Sequence, residues 1–535
     1  MPEMNRRTFL ALTGTGAAVA GLPRVRGGWR DLPDLSEASV ADLLLGQERG
    51  TFSARDLVQG YLRRIGDLDA RGPSLRSIIE TNPDATDIAD ALDRERKSKG
   101  PRGPLHGIPV LLKDNIDTAD RMTTTAGSLA LQGSVAKVDS PVAARLRAAG
   151  AVLLAKTNLS EWANIRSTHS TSGWSARGGQ CRNPYVLDRN PCGSSSGSAV
   201  AVSASLGAIA VGTETDGSIV CPASANGVVG LKPTVGLVSR SGIIPISHTQ
   251  DTAGPLCRTV ADAAALLTVL AGADPRDPAT WASRGHQEQD YRKFLDPAGL
   301  RGIRVGVVRK KFFGYSDVTD RLAEDALEVL RREGAVVIDP ADIPHLGEYD
   351  DAELEVLLYE LKADLNSYLA AVSPRSGVKT LEDVIRFNEQ QREREMPYFG
   401  QELFIQAQAK GPLTSPAYIR ARDKCRDLAR TRGIDRVMSR NRLDLLVAPT
   451  GSPAWPTDLI NGDHFTGSSS TPAAVAGYPS ISVPMGFAHD LPVNISFIGR
   501  AWSEPTLIRA AFAYEQGTKH RRPPRFLPSV TFRSA

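Results

Sequence analysis

Two short runs without a polar residue close in the same way, and they constrain the fold more than any other feature of this chain. Ile108-Pro109-Val110-Leu111-Leu112 ends in Lys113-Asp114-Asn115, and Val152-Leu153-Leu154-Ala155 ends in Lys156-Thr157-Asn158. A strand with no polar face has to be covered on both sides, which is how strands sit in sheets flanked by helices. Each run would then deliver polar groups at its end. The rest of the chain alternates in kind. Leu57, Tyr61, Leu62, Ile65 and Leu68 follow the helical period behind Ser53 as N-cap, and 84–96 reads as a second helix after Asn82-Pro83. Between 183 and 217 the composition turns to Gly, Ser and Ala, with a helical piece at 198–206 and a strand at 209–213. The segments 304–308, 319–333 and 335–338 read as strand, helix and strand. A charged, mostly helical stretch at about 351–442 is broken at Ser373-Pro374, Met396-Pro397 and Gly411-Pro412. Strands return at 443–447, 481–483 and 493–498, before a helix at 504–516. This alternation predicts an α/β fold around a largely parallel or mixed sheet. It also predicts one large domain over 21–535 with a helical insertion at about 351–442.

Charge narrows the function classes. The 535 residues carry 64 Lys plus Arg against 60 Asp plus Glu, a formal net charge of +4. No basic run interleaves with aromatics, so nothing marks a nucleic-acid partner. Residues 1–20 read as an address. Asn5-Arg6-Arg7-Thr8-Phe9-Leu10 sets paired arginines before a weakly apolar run, with Ala18-Val19-Ala20 as a small-residue cleavage site. The run is too short to cross a bilayer, which takes about 20 apolar residues. The pattern is that of a twin-arginine export signal, so a periplasmic or secreted protein without stable membrane insertion is expected. The five cysteines (181, 192, 221, 257 and 425) are odd in number and lack C-x-x-C spacing. Neither a disulfide framework nor a thiolate zinc site is expected from them.

Several catalytic patterns fail on inspection. Gly193-Ser194-Ser195-Ser196-Gly197 matches G-x-S-x-G, but a nucleophile elbow follows a strand, and 187–192 is turn-like. Ser134-Val135-Ala136-Lys137 matches S-x-x-K without the Ser-Asp-Asn and Lys-Thr-Gly that should follow. The Gly/Ser loop lacks the Lys-Ser or Lys-Thr that closes a phosphate-binding loop. No His pair brackets a Glu at helical spacing, so no metal and no cofactor is called for.

One constellation survives. Lys113 ends the first apolar run, Ser194 and Ser195 lie in the Gly/Ser loop, and Thr213-Glu214-Thr215-Asp216-Gly217-Ser218-Ile219 follows. With Gly227-Val228-Val229-Gly230-Leu231-Lys232-Pro233-Thr234, Gln250-Asp251-Thr252-Ala253-Gly254-Pro255 and Ala476-Gly477-Tyr478-Pro479, the chain resembles the amidase signature family from about 35 to 523. The resemblance implies a large mixed sheet covered by helices on both faces. It implies a Ser–cis-Ser–Lys triad, with Ser218 as nucleophile, Ser194 as the bridging serine and Lys113 as base. Backbone N–H groups of Thr215, Asp216 and Gly217 would form the oxyanion hole, with Ser195 in support. The chemistry is coherent, because a serine hydroxyl attacks only when a base takes its proton, and Lys is a base only when burial lowers its pKa.

The sequence departs from the family pattern at Asp216, Val220 and Cys192, where many members carry Gly, Arg and Gly. Asp216 would either repel anionic substrates or hydrogen-bond to the loop. The run Glu214-Thr215-Asp216-Gly217-Ser218 looks like that of the bacterial peptide amidases, which implies hydrolysis of a small-molecule or peptide amide, C-terminal amides included. Two alternatives stay open: an inactive amide-binding protein, and an ammonia-donating amidotransferase subunit. Side chains for the acyl group are expected from the helical segment 351–442.

Overall fold

Both apolar runs are strands of one sheet. The computed structural model describes residues 34–372 and 374–531, so the export signal read at 1–20 lies outside the described residues. Eleven strands make up the sheet, in chain order β1 (Ile78–Thr81), β2 (Pro109–Lys113), β3 (Val152–Thr157), β4 (Ile209–Glu214), β5 (Val229–Lys232), β6 (Thr252–Cys257), β7 (Arg304–Val307), β8 (Val336–Ile338), β9 (Leu445–Pro449), β10 (Ser480–Ala488) and β11 (Leu491–Ile498). Their spatial order is β1-β3-β2-β4-β6-β5-β10-β11-β9-β7-β8. The sheet is mixed, as expected. Parallel pairs join β2 to β3 and β4, and β7 to β8 and β9, while the pairs from β4 through β6, β5, β10 and β11 to β9 are antiparallel.

Every residue of β2, β3 and β4 is buried, which accounts for their unbroken apolar runs. The first predicted helix is Ala54–Arg64, with the Ser53 side chain accepting from the Asp56 N–H and the Asp56 carboxylate accepting in return. The strand–helix–strand reading in the 300s is observed as β7, Asp317–Arg332 and β8, with β7 and β8 parallel. The helix of the Gly/Ser/Ala stretch starts two residues earlier than predicted, at Ser196–Ser203, because the serines read as loop belong to its first turn.

From 350 to 441 the chain is a succession of helices, Asp350–Ala371, Leu381–Gln390, Arg392–Glu395, Glu402–Gln408 and Pro416–Arg426 among them, with breaks around Pro374, Pro397 and Pro412. Proline lacks the N–H and clashes with the preceding turn, so helices stop before it. Leu358, Leu361, Leu365, Leu381, Val384 and Phe404 of this run bury their side chains with Leu131, Trp162 and Ile165. A two-carboxylate cluster pins the run to the body. Fully buried Arg166 donates to Glu161 Oε1 at 2.7 Å and to the Glu395 carbonyl, while Glu395 Oε1 accepts from the Leu129 N–H at 2.6 Å.

Candidate active site

The carboxyl ends of β2 and β4 lie side by side, the position outside a parallel sheet where ligand sites form. Lys113 is the last residue of β2, and Thr213 is the last but one of β4. Lys113 is fully buried. Its Nζ donates to Ser194 Oγ at 2.7 Å and to Thr213 Oγ1 at 2.8 Å. Burial pushes its pKa from 10.5 down to about 7, against the pull of the Asp251 and Glu214 carboxylates. An amine so placed is half neutral near pH 7 and can take a proton from the hydroxyl it touches.

Ser194 follows a cis peptide bond from Gly193. Between Arg182 and Ser195 the chain enters no helix and no extended strand, so side-chain and tertiary bonds hold the loop. The Ser195 N–H donates to the Ser218 carbonyl at 3.1 Å, which sets the two serine loops against each other. Ser195 Oγ donates to the Thr213 carbonyl at 2.9 Å and accepts the Thr213 N–H at 3.1 Å. That hydroxyl fastens the loop to β4.

The turn carrying Ser218 is built by buried carboxylates. The sheet ladder stops at the Glu214–Thr252 pair, so strand pairing does not consume the N–H groups of Thr215, Asp216 and Gly217. Glu214 Oε2 accepts the N–H groups of Ile219 at 2.7 Å and Val220 at 3.0 Å, drawing the chain into a tight turn. Gly217 takes φ +77°, a backbone that costs glycine nothing. Asp251 accepts from Thr215 Oγ1 at 2.6 Å and from the N–H groups of Ile246 and Ser247 at 2.8 and 2.9 Å. Burial raises its carboxyl to about 6 against those donors. Asp216 accepts from Ser470 Oγ at 2.5 Å and Thr471 Oγ1 at 2.7 Å. The hydrogen bonds expected to its own loop are made instead to a distant segment, because the hydroxyls of Ser470 and Thr471 are the donors the fold brings to it.

Ser194, Ser218 and the turn Thr215–Gly217 line one cavity of about 430 Å³. A second of about 410 Å³ adjoins it across Ala163, Thr215 and Ile246 and reaches Asn115 and Asp251. Of the described residues in 351–442, Leu357 reaches the cavity of Ser218, while Asp364, Ser367, Tyr368 and Ala371 line the adjoining one, so the contribution expected of that segment falls mostly in the second cavity. Leu358, Leu361, Leu365 and Phe404 of the segment are spent on packing, and the other walls of the Ser218 cavity include residues of 164–172 and of the 463–471 stretch, Phe465 among them.

The cysteine reading also needs correction. Cys192 and Cys221 form a disulfide across a separation of 29 residues, while Cys181, Cys257 and Cys425 are free and buried. Linear spacing carried no sign of it, since the partners meet only once the loop before Ser194 packs on the helix after Ser218. His248, Glu360 and Asp364 bring ligand atoms within 4.8 Å of one another. Those atoms are engaged with each other and with Tyr418, Ser247 and Thr249, so they read as an internal ion pair. Burial works against the His248 charge, yet Asp364 and Glu360 raise its pKa.

Glu214 and Asp251 stand within the sequence motifs, but a motif does not say which N–H groups a carboxylate accepts. Asn226 was missed altogether: its Nδ2 donates to the carbonyls of Pro191 and Pro222 at 2.8 and 2.7 Å, tying the two serine loops together at their outer ends.

Comparison with known proteins gives the chain a family. The family profile described as Amidase matches residues 56–508. A probable amidase of Arabidopsis thaliana is 45% identical over 502 residues, covering 92% of each chain. The X-ray structure of native peptide amidase from Stenotrophomonas maltophilia is 55% identical with a TM-score of 0.88, covering 92% of this chain and 99% of that one. One chain of the glutamyl-tRNA(Gln) amidotransferase of Halorhodospira halophila is 34% identical, covering 92% of this chain and 99% of its own.

Proposed function

Because the chain belongs to the amidase family and is an amide-hydrolysing enzyme, we propose that it releases ammonia from carboxamides, C-terminal peptide amides among them, through an acyl-enzyme on Ser218. The observation that carries this reading is the fully buried Lys113, its Nζ 2.7 Å from Ser194 Oγ. Neutral Lys113 takes the Ser194 proton as Ser194 takes that of Ser218, and Ser218 Oγ attacks the carbonyl carbon. Charge gathers on the carbonyl oxygen, where the N–H groups of Thr215, Asp216 and Gly217 are free of the sheet ladder to receive it. The proton returns along Lys113 and Ser194 to the nitrogen, and ammonia leaves. Water activated along the same path then hydrolyses the ester to the carboxylate and restores Ser218. The peptide-amide part rests on the 55% identity to a peptide amidase.

The test is ammonia release by the purified chain alone over aliphatic, aromatic, fatty and peptide amides, with a fluorophosphonate probe located by mass spectrometry. The expected outcome is turnover without a partner chain and an adduct on Ser218, both lost in Ser218→Ala. An adduct on Ser195 would sink the mechanism, and turnover only in the presence of a partner chain would favour the amidotransferase reading.

Export belongs to the same proposal. The Cys192–Cys221 disulfide supports it, since disulfides persist mainly in oxidising compartments, and so does the Arg6-Arg7 pattern. Replacing both arginines with Lys should leave uncleaved protein in the cytoplasm. Normal export of that variant would refute the twin-arginine reading.

A further inference from the structure

The two cysteines of the disulfide stand at chemically pointed positions. Cys192 precedes Gly193-Ser194, and Cys221 is the second residue of the helix Val220–Ala225, three positions after Ser218. Both cysteines line the same cavity as Ser194 and Ser218. The stretch leading to Ser194 has no helix or extended strand of its own. Apart from the disulfide, it is held to the Ser218 segment by hydrogen bonds: Ser195 N–H to the Ser218 carbonyl, and the Asn226 fork to Pro191 and Pro222. Each of these buried neutral hydrogen bonds contributes about 0.5–1.5 kcal/mol net and can lengthen or shift, whereas a covalent link fixes the separation of the two segments.

We propose that the Cys192–Cys221 disulfide is a positioning clamp for the reaction, holding the Ser194 loop in register with Ser218, so that hydrolysis is fast only in the oxidised protein. The inference rests on the reading of Ser194 and Ser218 given above. Formation of the bond converts two thiols to one disulfide, with loss of two protons and transfer of two electrons to a disulfide-bearing oxidant such as an oxidoreductase of an oxidising compartment. A phosphine reverses it, taking oxygen from water as the phosphine oxide while the two sulfurs take up two electrons and two protons. Opening the clamp leaves Lys113, Ser194 and Ser218 present but looser in register. A misplacement of about 1 Å in such a constellation costs on the order of 10²-fold in rate.

The experiment uses the full chain in two arms. In the first, the oxidised protein is treated with a phosphine, opening is verified by a mass count of two newly alkylatable thiols, and the protein is then reoxidised with oxidised glutathione. In the second, Cys192→Ser/Cys221→Ser is assayed in parallel. With the bond open, kcat and the rate of fluorophosphonate labelling at Ser218 should fall together by about tenfold or more. KM should stay within about twofold and the far-UV circular dichroism should not change. Reoxidation should restore the wild type and leave the double variant unaffected. A loss of secondary structure, or a rise in KM with kcat intact, would assign the bond a merely structural role and overturn the proposal. So would wild-type kcat in verified reduced protein or in the double variant. If the variant does not fold the reduction arm decides, and if the phosphine opens no bond the variant decides. Failure of oxidised wild type to label at Ser218 would instead overturn the site reading itself, a result distinguishable from full labelling with the clamp open.

Discussion

A lysine amine fully out of water and bonded to two hydroxyls has one strong tendency, to lose its proton. Burial sets the Lys113 pKa near 7, so the neutral base fraction rises as pH passes upward through that value. Accordingly kcat/KM should rise through a single ionisation near 7 to an alkaline plateau, as a pH–rate profile would record. Asp251 pulls the other way, since its negative charge raises the Lys113 pKa. Asp251→Asn should therefore shift the midpoint of that profile to lower pH, as well as lowering kcat, since an amide oxygen can serve Thr215 Oγ1 or the Ile246 and Ser247 N–H groups but not both sets. An alkaline shift would contradict the electrostatic account. Lys113→Ala and Ser194→Ala should each cost about 10²–10⁴-fold in kcat, and the double change little more than the worse single one, because the two residues move one proton. Ser195→Ala should be milder, since that hydroxyl is satisfied by the Thr213 backbone.

At the scale of elements, the helix Ser196–Ser203 decides where the Ser194 loop can lie, and one residue lets it dock. A Cβ at Gly197 would stand 2.3 Å from the Ser77 carbonyl oxygen and 2.5 Å from that of Asn158, both backbone atoms. The Gly197 N–H also donates to the Asn158 carbonyl at 2.9 Å, so the helix cannot slide away without losing that bond. Gly197→Ala should destabilise the protein by about 1–3 kcal/mol or more through overpacking. Labelling at Ser218 should fall with it, and a urea titration alongside the probe assay reads both. The need for small residues around Ser194 was legible in the Gly/Ser run. The atoms that enforce it, from β1's lead-in and the end of β3, were not, because they come from more than a hundred residues upstream for Ser77 and from a separate strand end for Asn158.

The whole molecule depends on the helical run staying seated over the body. Arg166 lies between Glu161 and Glu395 with no exposed side-chain surface on any of the three. Its guanidinium also sits 4.3 Å over the Phe399 ring. Arg166→Ala would leave two buried carboxylates facing each other without their cation. A loss of about 3–5 kcal/mol is expected, read as a lower urea midpoint, with detachment of the 392–408 region visible as faster hydrogen exchange there. An unchanged midpoint would show that the helices are held by Leu361, Leu365, Phe404 and their neighbours alone.

The sequence by itself marked most of the strands, many of the helices and the candidate site residues, but not the strands Ile78–Thr81, Val229–Lys232 and Thr252–Cys257 or the helices Val40–Glu48, Pro141–Ala148 and Val260–Leu270. Ile108–Leu112 is apolar on every residue because β2 is covered on both faces, and Lys113 stands out because the strand ends on it. Local periodicity carries the elements, and the resemblance to the amidase signature family carries the candidate side chains. Tertiary structure alone decided how those side chains are supported. Glu214 turns back onto Ile219 and Val220, Asp251 reaches Thr215, Asp216 takes Ser470 and Thr471, and Cys192 meets Cys221. The physical reason is that strand and helix formation depend on neighbours a few residues away, whereas a buried carboxylate or thiol takes whichever partner the folded chain brings within about 3 Å of it. The helical segment at 351–442 shows the same division. Its helices were plain in the sequence, but that Leu361 and Leu365 would pack with Trp162 and Ile165 while Leu357 meets the cavity of Ser218 and Tyr368 and Ala371 the adjoining one depended on how the sheet's loops met them.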